Sequence, residues 1–257
     1  MLGLRRKAMN MVRPVGLRRL PAFLVGGLAR RREFPVILLT SASAIKKKIP
    51  ENKRRVVHDR FIINNFDWQG VSEAVREENL HPTIREIFLD GRHYTDTSQW
   101  IEMIKAVDEF ERGKIQYPAR HGAYWCRSRA DVARYFEILL ECHRSIKSDG
   151  YKTQEQLLKQ SGMISEGGVV RNVRDEIEVL IDASGDLVFS GARGNHRFSI
   201  VQILDVRPLP VVLGGVDKAF VKKITKRKNI SVSAIFYECV RCHEALEFFR
   251  INEDQTC

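Results

Sequence analysis

Apolar residues recur at helical spacing in two segments of the first two-thirds of the chain. Asp96 and Gln99 precede the first segment, Ser128 and Asp131 precede the second, and both pairs match the capping-box pattern that opens a helix. The apolar positions are Trp100, Ile104, Val107 and Phe110 in the first segment, and Val132, Tyr135, Leu139, Cys142 and Ile146 in the second. The pattern therefore predicts two amphipathic helices.

Helix ends are predicted by Gly113 and Gly150, because glycine commonly follows the last residue of a helix. Thr153 and Gln156 predict the start of a third, shorter helix that ends near Gly162.

The periodicity then changes from helical spacing to alternation. Ile177, Val179 and Ile181 alternate with Glu176, Glu178 and Leu180, which predicts a half-buried strand. The elements expected next are a turn over residues 183–186, a short strand over 187–189, a helix capped by Asn195 and a buried strand over 209–213. We thus predict an α/β (α+β) fold, with a small mixed sheet and helices preceded by a mainly helical extension.

Positive charge is concentrated at the N-terminal end. Residues 1–60 contain sixteen Lys or Arg and three acidic residues, a net +13, whereas the whole 257-residue chain carries +11. Basic clusters at residues 5–7, 30–32, 46–48 and 53–55 repel one another, which predicts an extended, flexible arm. Nucleic acid or an acidic membrane surface is the candidate partner of this arm. The alternatives are a solvated basic leader with no specific partner, or a start codon assigned upstream of the true one.

These patterns predict four regions: the arm over 1–60, a helical extension over 61–142, an α/β core over 143–225, and a C-terminal helix and tail over 226–257.

Targeting signals are weak. Residues 34–40 are apolar and precede small residues, as in a cleavable signal, but the stretch is short and contains Pro35. No run approaches the roughly eighteen apolar residues of a membrane span. We therefore expect a cytoplasmic protein with no transmembrane segment.

The five cysteines form an odd set with no disulfide-framework spacing, which suits a reducing compartment. Cys239, Cys242 and His243 match the C-x-x-C-H pattern of haem attachment, yet the two cysteines fall on the apolar stripe of a predicted helix. A zinc site would need two further ligands, and only Cys257 is nearby. No haem and no zinc are expected.

The segment over residues 191–197, GARGNHR, lies between a predicted strand and a predicted helix. Gly191 and Gly194 permit backbone angles closed to other residues and a close approach to a ligand. Asn195 can cap the helix, while His196 and Arg197 add donors where backbone amides and the helix dipole attract an anion. A phosphate group suits this arrangement. Arg197 could instead pair with Asp182, Asp186 or Glu178.

Four segments in order resemble the ParB/sulfiredoxin superfamily: residues 145–151, the strand at 176–181, residues 194–197 and residues 208–211. The resemblance covers about residues 143–220. A wider similarity to ParB-like nuclease-domain proteins with a helical N-terminal extension covers about residues 64–220. Three further groups of residues fall in the order expected for such proteins: Asp67 and Trp68; Thr97 and Trp100; and Gly150, Tyr151 and Gln154.

The resemblance implies a nucleotide site. The matching loop is Gly-Glu-Arg-Arg in partition-type ParB, where it holds CTP phosphates, and Gly-Gly-Cys-His-Arg in sulfiredoxin, where it holds ATP phosphates. Gly194, His196 and Arg197 match the sulfiredoxin pattern, whereas Asn195 replaces the catalytic cysteine, so thiol chemistry is not available at this position. In the segment after the last strand, Asp217 and Phe220 stand where such proteins commonly carry His and Trp.

We therefore predict binding of a nucleotide or another phosphorylated small molecule, at a site formed by Gly191, Gly194, Asn195, His196 and Arg197. Any chemistry would be that of a nucleotide-dependent phosphotransferase or hydrolase acting on a nucleoside triphosphate or diphosphate. Asp182 and Asp186 are candidate Mg²⁺ ligands, and Tyr151, Gln154 and Trp100 are candidate pocket residues. The alternative is a nucleic-acid-binding ParB-like protein that uses the basic N-terminal arm.

Overall fold

Helices and a mixed sheet both form, so the chain has the α/β class that the sequence predicts. The structure is a computed structural model, and it describes residues 37–50, 62–64, 66–121, 124–153, 156–157, 176–191 and 194–228.

The described residues contain nine strands and six α-helices. The strands are β1 (Ile37–Thr40), β2 (Lys47–Lys48), β3 (Ile62–Ile63), β4 (Glu73–Ala74), β5 (Ala119–His121), β6 (Tyr124–Cys126), β7 (Glu178–Ile181), β8 (Leu187–Phe189) and β9 (Leu209–Asp217). The helices are α1 (Trp68–Val71), α2 (Pro82–Phe88), α3 (Ser98–Glu111), α4 (Arg129–Asp149), α5 (Asn195–Ile203) and α6 (Lys218–Lys228). Short 3₁₀ turns lie at Ala42–Ala44, Glu77–Asn79 and Tyr94–Asp96.

Two compact units divide the described residues. The sheet unit takes those that fall within 1–74, 153–194 and 207–257, and the helical unit takes those within 75–152 and 195–206. The predicted domain boundaries stay predictions.

In the sheet unit, the strand order is β1-β9-β7-β8-β2-β4, and β3 pairs with the end of β9. The β9–β7, β8–β2 and β3–β9 pairs are parallel, whereas the β1–β9, β7–β8 and β2–β4 pairs are antiparallel. The sheet is therefore mixed, as predicted.

Strand β7 lies in the interior of this sheet, between β9 and β8. All four of its residues are buried. The prediction of a half-buried strand is therefore wrong. The sequence alternates between Glu178 and apolar neighbours, but Glu178 is buried as well, so neither face of the strand is exposed to solvent.

Two strands come from the interval assigned to the basic arm. Ile37–Thr40 pairs with residues 209–212 of β9, and Lys47–Lys48 pairs with β8 on one side and β4 on the other. Leu38, Ile45 and Ile49 are buried. The prediction of a flexible arm is therefore wrong for residues 37–50, since the apolar positions among the charges are held by the sheet.

One hydrophobic cluster of the sheet unit gathers residues from or next to five separate elements: Ile49, Ile63, Trp68, Leu180 and Val188. Helix α6 packs on β9 and buries Phe220, Val221 and Ile224 while Lys222, Lys223 and Lys226 stay exposed. These three lysines form the solvent-exposed face of the helix.

Helices α3 and α4 form the centre of the helical unit. Ser128 and Asp131 make the predicted capping box at the start of α4, and Gly150 ends it. The N-cap of α3 is Thr97 rather than the predicted Asp96, because the Thr97 side chain accepts a hydrogen bond from the backbone of Trp100.

The core of this unit joins α3, α4 and the β5–β6 hairpin. Its buried residues are Met103, Val107, Ala119, Cys126, Val132, Tyr135 and Phe136. Phe136 is fully buried, and full burial of such a side chain stabilises the fold by about 1.5–3 kcal/mol. Helices α2 and α4 both pack against α5.

Candidate functional site

The two glycines of the 191–197 segment have the backbone angles that the sequence predicts. Gly191 has φ 69° and Gly194 has φ 72°, both in the left-handed region. A Cβ atom at Gly194 would lie 3.4 Å from Ile177 Cγ1, so strain in the backbone, rather than a clash, is what favours glycine here.

Helix α5 begins at Asn195, immediately after Gly194. Asn195 is thus the first helical residue rather than the residue before the helix, a difference within the usual uncertainty of a helix end. The first turn contains His196 and Arg197 and has no acidic residue. Backbone N–H groups at such a start have no partner within the helix, and the dipole makes this end positive.

Arg197 contacts another predicted site residue. Its Nη1 atom donates a hydrogen bond to Tyr151 Oη at 3.2 Å, and both side chains are half-buried. The structure therefore brings together a predicted phosphate ligand and a predicted pocket residue within the helical unit. Sequence reasoning proposed each of them but gave no sign that they touch.

The Cys142 thiol on α4 lies within electrostatic range of Arg197. Burial raises the pKa of this thiol, and the nearby guanidinium offsets part of that rise. The net effect favours the neutral thiol.

His196 has two aromatic neighbours in the helical unit that sequence reasoning missed. Its Nε2 atom lies 3.1 Å from Tyr135 Oη, and its ring centroid lies 4.0 Å from that of His81. The backbone N–H of His81 donates to Ser199 Oγ on α5 at 2.8 Å. Tyr135 fell on the predicted apolar stripe of α4, so its hydroxyl gave no separate signal.

The hydrogen bonds continue from Tyr135 into the unit. Gln99 Nε2 lies 3.4 Å from Tyr135 Oη, and the Thr83 hydroxyl donates to Gln99 Oε1. Gln99 was expected as part of a capping box. Its side chain instead joins this polar chain.

The two candidate Mg²⁺ ligands bind a lysine. Lys47 Nζ lies 2.8 Å from Asp182 Oδ2 and 2.7 Å from Asp186 Oδ2. The Asp182 Oδ1 atom accepts three backbone N–H bonds, from residues 184, 185 and 186. The hydrogen bond to Asp182 raises the pKa of Lys47 most, and the hydrogen bond to Asp186 raises it further. A magnesium ion would have to displace this ammonium group, so the observed arrangement fits a stabilised turn better than a metal site.

Trp100 packs at the edge of the helical core. Its ring centroid lies 5.2 Å from that of Tyr94 and 5.4 Å from that of Phe136. It also lines an open cavity of about 410 Å³ on the outer side of α3. Gln154, the other pocket candidate, lies outside the described residues.

Trp68 and Asp217, both part of the resemblance, meet in the sheet unit. Trp68 Nε1 donates to Asp217 Oδ2 at 2.7 Å, and both residues are buried. Asp217 Oδ1 accepts the backbone N–H of Ala219 at the start of α6. Phe220 is also buried. These residues therefore have structural roles in this unit.

No group of three or more His, Cys, Asp or Glu side chains forms a metal site among the residues that the structure describes. Cys239, Cys242, His243 and Cys257 lie outside those residues, so the predictions made for them stay predictions. In the same described ranges, no helix is both long and apolar enough to cross a membrane.

Comparisons with family models, with curated proteins and with solved structures find no match to this chain.

Proposed function

We propose that the chain binds the phosphate group of a nucleotide or another phosphorylated small molecule at the first turn of α5. The observation that carries this proposal is the pair of donors in that turn, each held by a tyrosine: Arg197 by Tyr151 and His196 by Tyr135. Side chains held in place before the ligand arrives lose less conformational entropy when it binds.

The charge distribution supports an anion at this position. A cation in the first turn of a helix opposes the positive end of the dipole, and α5 has no acidic residue there to offset it. A bound phosphate would add negative charge at this end of the helix and accept hydrogen bonds from the backbone and from the guanidinium.

The resemblance to the ParB/sulfiredoxin superfamily supports a nucleotide as the source of that phosphate. Asn195 in place of the sulfiredoxin cysteine argues against thiol chemistry. If the bound phosphate reacts, phosphoryl transfer or hydrolysis is the class that the resemblance implies. Because Lys47 occupies the Asp182 and Asp186 carboxylates, these two residues do not fit a metal ion.

The test uses the full chain in thermal unfolding and in titration calorimetry. The probes are inorganic phosphate, pyrophosphate, ATP, ADP, CTP and a sugar nucleotide, each with magnesium and with a chelator, and adenosine and cytidine serve as phosphate-free controls. We expect at least one phosphorylated probe to raise the melting temperature as its concentration rises, by mass action. Equal binding of the nucleosides, or binding by no phosphorylated probe, would refute the proposal.

A second candidate function rests on the basic N-terminal segment, whose net charge of +13 over residues 1–60 supports binding to a polyanion. Because residues 37–50 belong to the sheet, the test replaces charged residues instead of deleting the N-terminal segment. Serine in place of Arg30, Arg31 and Arg32 should weaken retention on nucleic acid and lower the salt slope of binding. Retention that does not depend on salt would contradict this function.

A further inference from the structure

Helix α6 of the sheet unit has an exposed side of a single charge. Six of the eleven residues in Lys218–Lys228 are lysine or arginine, and none is acidic. The inner side of the helix packs on β9 and buries Phe220, Val221 and Ile224. The exposed residues on the outer side, which we call the lysine face, are Lys218, Ala219, Lys222, Lys223 and Lys226.

The lysines of this face follow the helical repeat. Lys218, Lys222 and Lys226 are four residues apart, so they form one row that runs for about 12 Å along the helix. Lys223 lies beside that row. The positive charges are thus arranged in a line on one surface of the fold.

No carboxylate in the described part of the chain neutralises the lysine face. None of the ion pairs found there includes a lysine of this face. Asp217, immediately before the helix, is buried and accepts hydrogen bonds from Trp68 Nε1 and the Ala219 backbone. By contrast, Lys47 and Lys48 of the same unit each pair with an acidic side chain.

This arrangement is unfavourable for the helix alone. Like charges four residues apart on a helix repel each other. The helix dipole favours a cation near the C-terminal end, which accounts for Lys226. It gives no such compensation to Lys218 in the first turn or to Lys222 in the middle of the helix. A bound polyanion would remove this repulsion.

We infer that the lysine face of α6 binds the phosphate backbone of double-stranded nucleic acid. The inference does not depend on the proposed phosphate site at α5. It deepens the second candidate function, because it adds a contact surface in the folded sheet unit to the basic N-terminal segment. A row of lysines can contact several phosphates of one duplex and release their counterions. Phosphates are the same at every base pair, so we expect binding without sequence preference.

An acidic membrane is the other polyanion that a basic helix can bind. Helices that lie in a membrane interface insert an apolar side into the lipid. The apolar side of α6 is already buried, and the lysine face offers only Ala219 between its ammonium groups. Nucleic acid requires charge but no apolar insertion, so it fits this face better. Vesicles of phosphatidylserine and phosphatidylcholine are therefore the competing probe.

Fluorescence anisotropy with two random-sequence DNA duplexes, over a range of salt concentrations, tests the inference in the full chain. The variant replaces Lys222, Lys223 and Lys226 by glutamine together. Each lost phosphate contact should reduce the salt slope by about 0.9 and weaken binding roughly eightfold at 0.1 M salt. Loss of two or three contacts should thus weaken binding roughly 60- to 500-fold, equally for both duplexes.

A matched control removes three exposed positive charges from the helical unit. Lys105, Arg112 and Lys114, replaced by glutamine together, are exposed and take part in none of the ion pairs found among the described residues. This triple variant changes the net charge by the same amount and should keep most of the affinity. Equal weakening in both triple variants would show a general charge effect and overturn the inference.

Arginine in place of the same three lysines of α6 keeps the charge and should keep the salt slope. A measurement on the unmodified chain needs no variant to fold: bound duplex should slow acetylation of Lys218, Lys222, Lys223 and Lys226, as followed by mass spectrometry. Lys105 and Lys114 should react at the same rate with and without duplex. Duplex binding without protection of the lysine face would overturn the inference.

The remaining outcomes separate this inference from the other proposed functions. No binding of either duplex, or retention on the vesicles without binding of duplex, would overturn it. Weaker binding in the serine variant of residues 30–32, together with full affinity in the α6 glutamine variant, would overturn it and leave the second candidate function standing. The reverse result would support the lysine face and refute the role of the N-terminal segment. Binding of phosphorylated small molecules should be the same in the α6 glutamine variant and the parent.

Discussion

Removal of the Arg197 guanidinium is the most direct perturbation of the proposed phosphate site. In Arg197→Ala, a bound phosphate loses its charged hydrogen-bond partner, and each such bond contributes about 1.5–3 kcal/mol. At 1.4 kcal/mol for each factor of ten, the dissociation constant should rise roughly 10- to 150-fold. Titration calorimetry with the tightest phosphorylated probe measures this change.

The same substitution should have a modest effect on the unliganded protein. It removes the hydrogen bond from Arg197 Nη1 to Tyr151 Oη at 3.2 Å, between half-buried side chains. Such a bond stabilises the fold by about 0.5–1.5 kcal/mol, which corresponds to a few degrees in melting temperature. Tyr151→Phe removes the same bond and keeps the guanidinium, so it should lose much less affinity for the phosphorylated probe than Arg197→Ala does.

Arg134→Ala is the matched control. Arg134 lies on α4 in the same unit, is exposed, and pairs with Glu137 at 3.3 Å. Its removal changes the net charge by the same amount, so a general electrostatic effect would weaken binding in both variants. If Arg197→Ala binds the probe as tightly as the Arg134 control does, Arg197 does not hold the phosphate and our assignment of the site is wrong.

Three further results are expected from unfolding in urea. Gly194→Ala should lower the free energy of unfolding by about 1–2 kcal/mol because the backbone at that residue is left-handed, and Gly194→Asn should lower it less. Equal stability of Gly194→Ala and the parent would contradict this. Trp68→Phe should cost about 1–3 kcal/mol because the buried Asp217 carboxylate loses its donor, and a second change, Asp217→Asn, should restore part of that loss. In the folded protein, Asp182 stabilises the Lys47 ammonium group and so raises its pKa. The charged lysine therefore contributes fully to the free energy of unfolding below its unfolded pKa of about 10.4, and this contribution is lost as the pH rises through the higher folded pKa. The stability gap between the parent and Lys47→Met should therefore narrow above about pH 10.4, and a constant gap would contradict the assignment.

Features that depend on neighbouring residues could be predicted from the sequence. The Ser128 and Asp131 capping box is confirmed because both partners lie within four residues of each other. The positive φ angles of Gly191 and Gly194 are confirmed for a similar reason, since no other residue type takes those angles as readily.

Contacts between distant residues gave no such signal. Lys47 binds Asp182 across 135 positions, and Tyr135 meets His196 across 61 positions. In both cases one partner already had an adequate local interpretation: Lys47 as part of a basic run, and Tyr135 as part of an apolar stripe. The candidate residues of the 191–197 segment were proposed from a local sequence pattern, whereas the tyrosines that contact them are distant in the sequence and gave no local signal.

The positive charge of residues 46–48 also led to a wrong prediction of their structure. Residues 46–48 read as a lysine cluster, yet Lys47 and Lys48 lie in a strand whose neighbours in the chain, Ile45 and Ile49, are buried. Both lysines suit this strand, which lies between β8 and the edge strand β4, because their long side chains reach solvent or acidic partners such as Glu73.

The pairing of β9 has a consequence for the order in which the protein can fold while it is being made. β9 is hydrogen-bonded to β1, β3 and β7. Strands β1 and β3 come early in the chain, at residues 37–40 and 62–63. They therefore cannot join the sheet until residue 209 and those after it have left the ribosome. At about 5–20 residues per second, that wait lasts on the order of ten seconds or more. The α3–hairpin–α4 segment, over residues 98–149, is local in sequence and can assemble during that interval. The apolar residues of β1 and β3 have no partner strand in β9 during that interval, and unpaired apolar strands of this kind favour aggregation until the sheet closes.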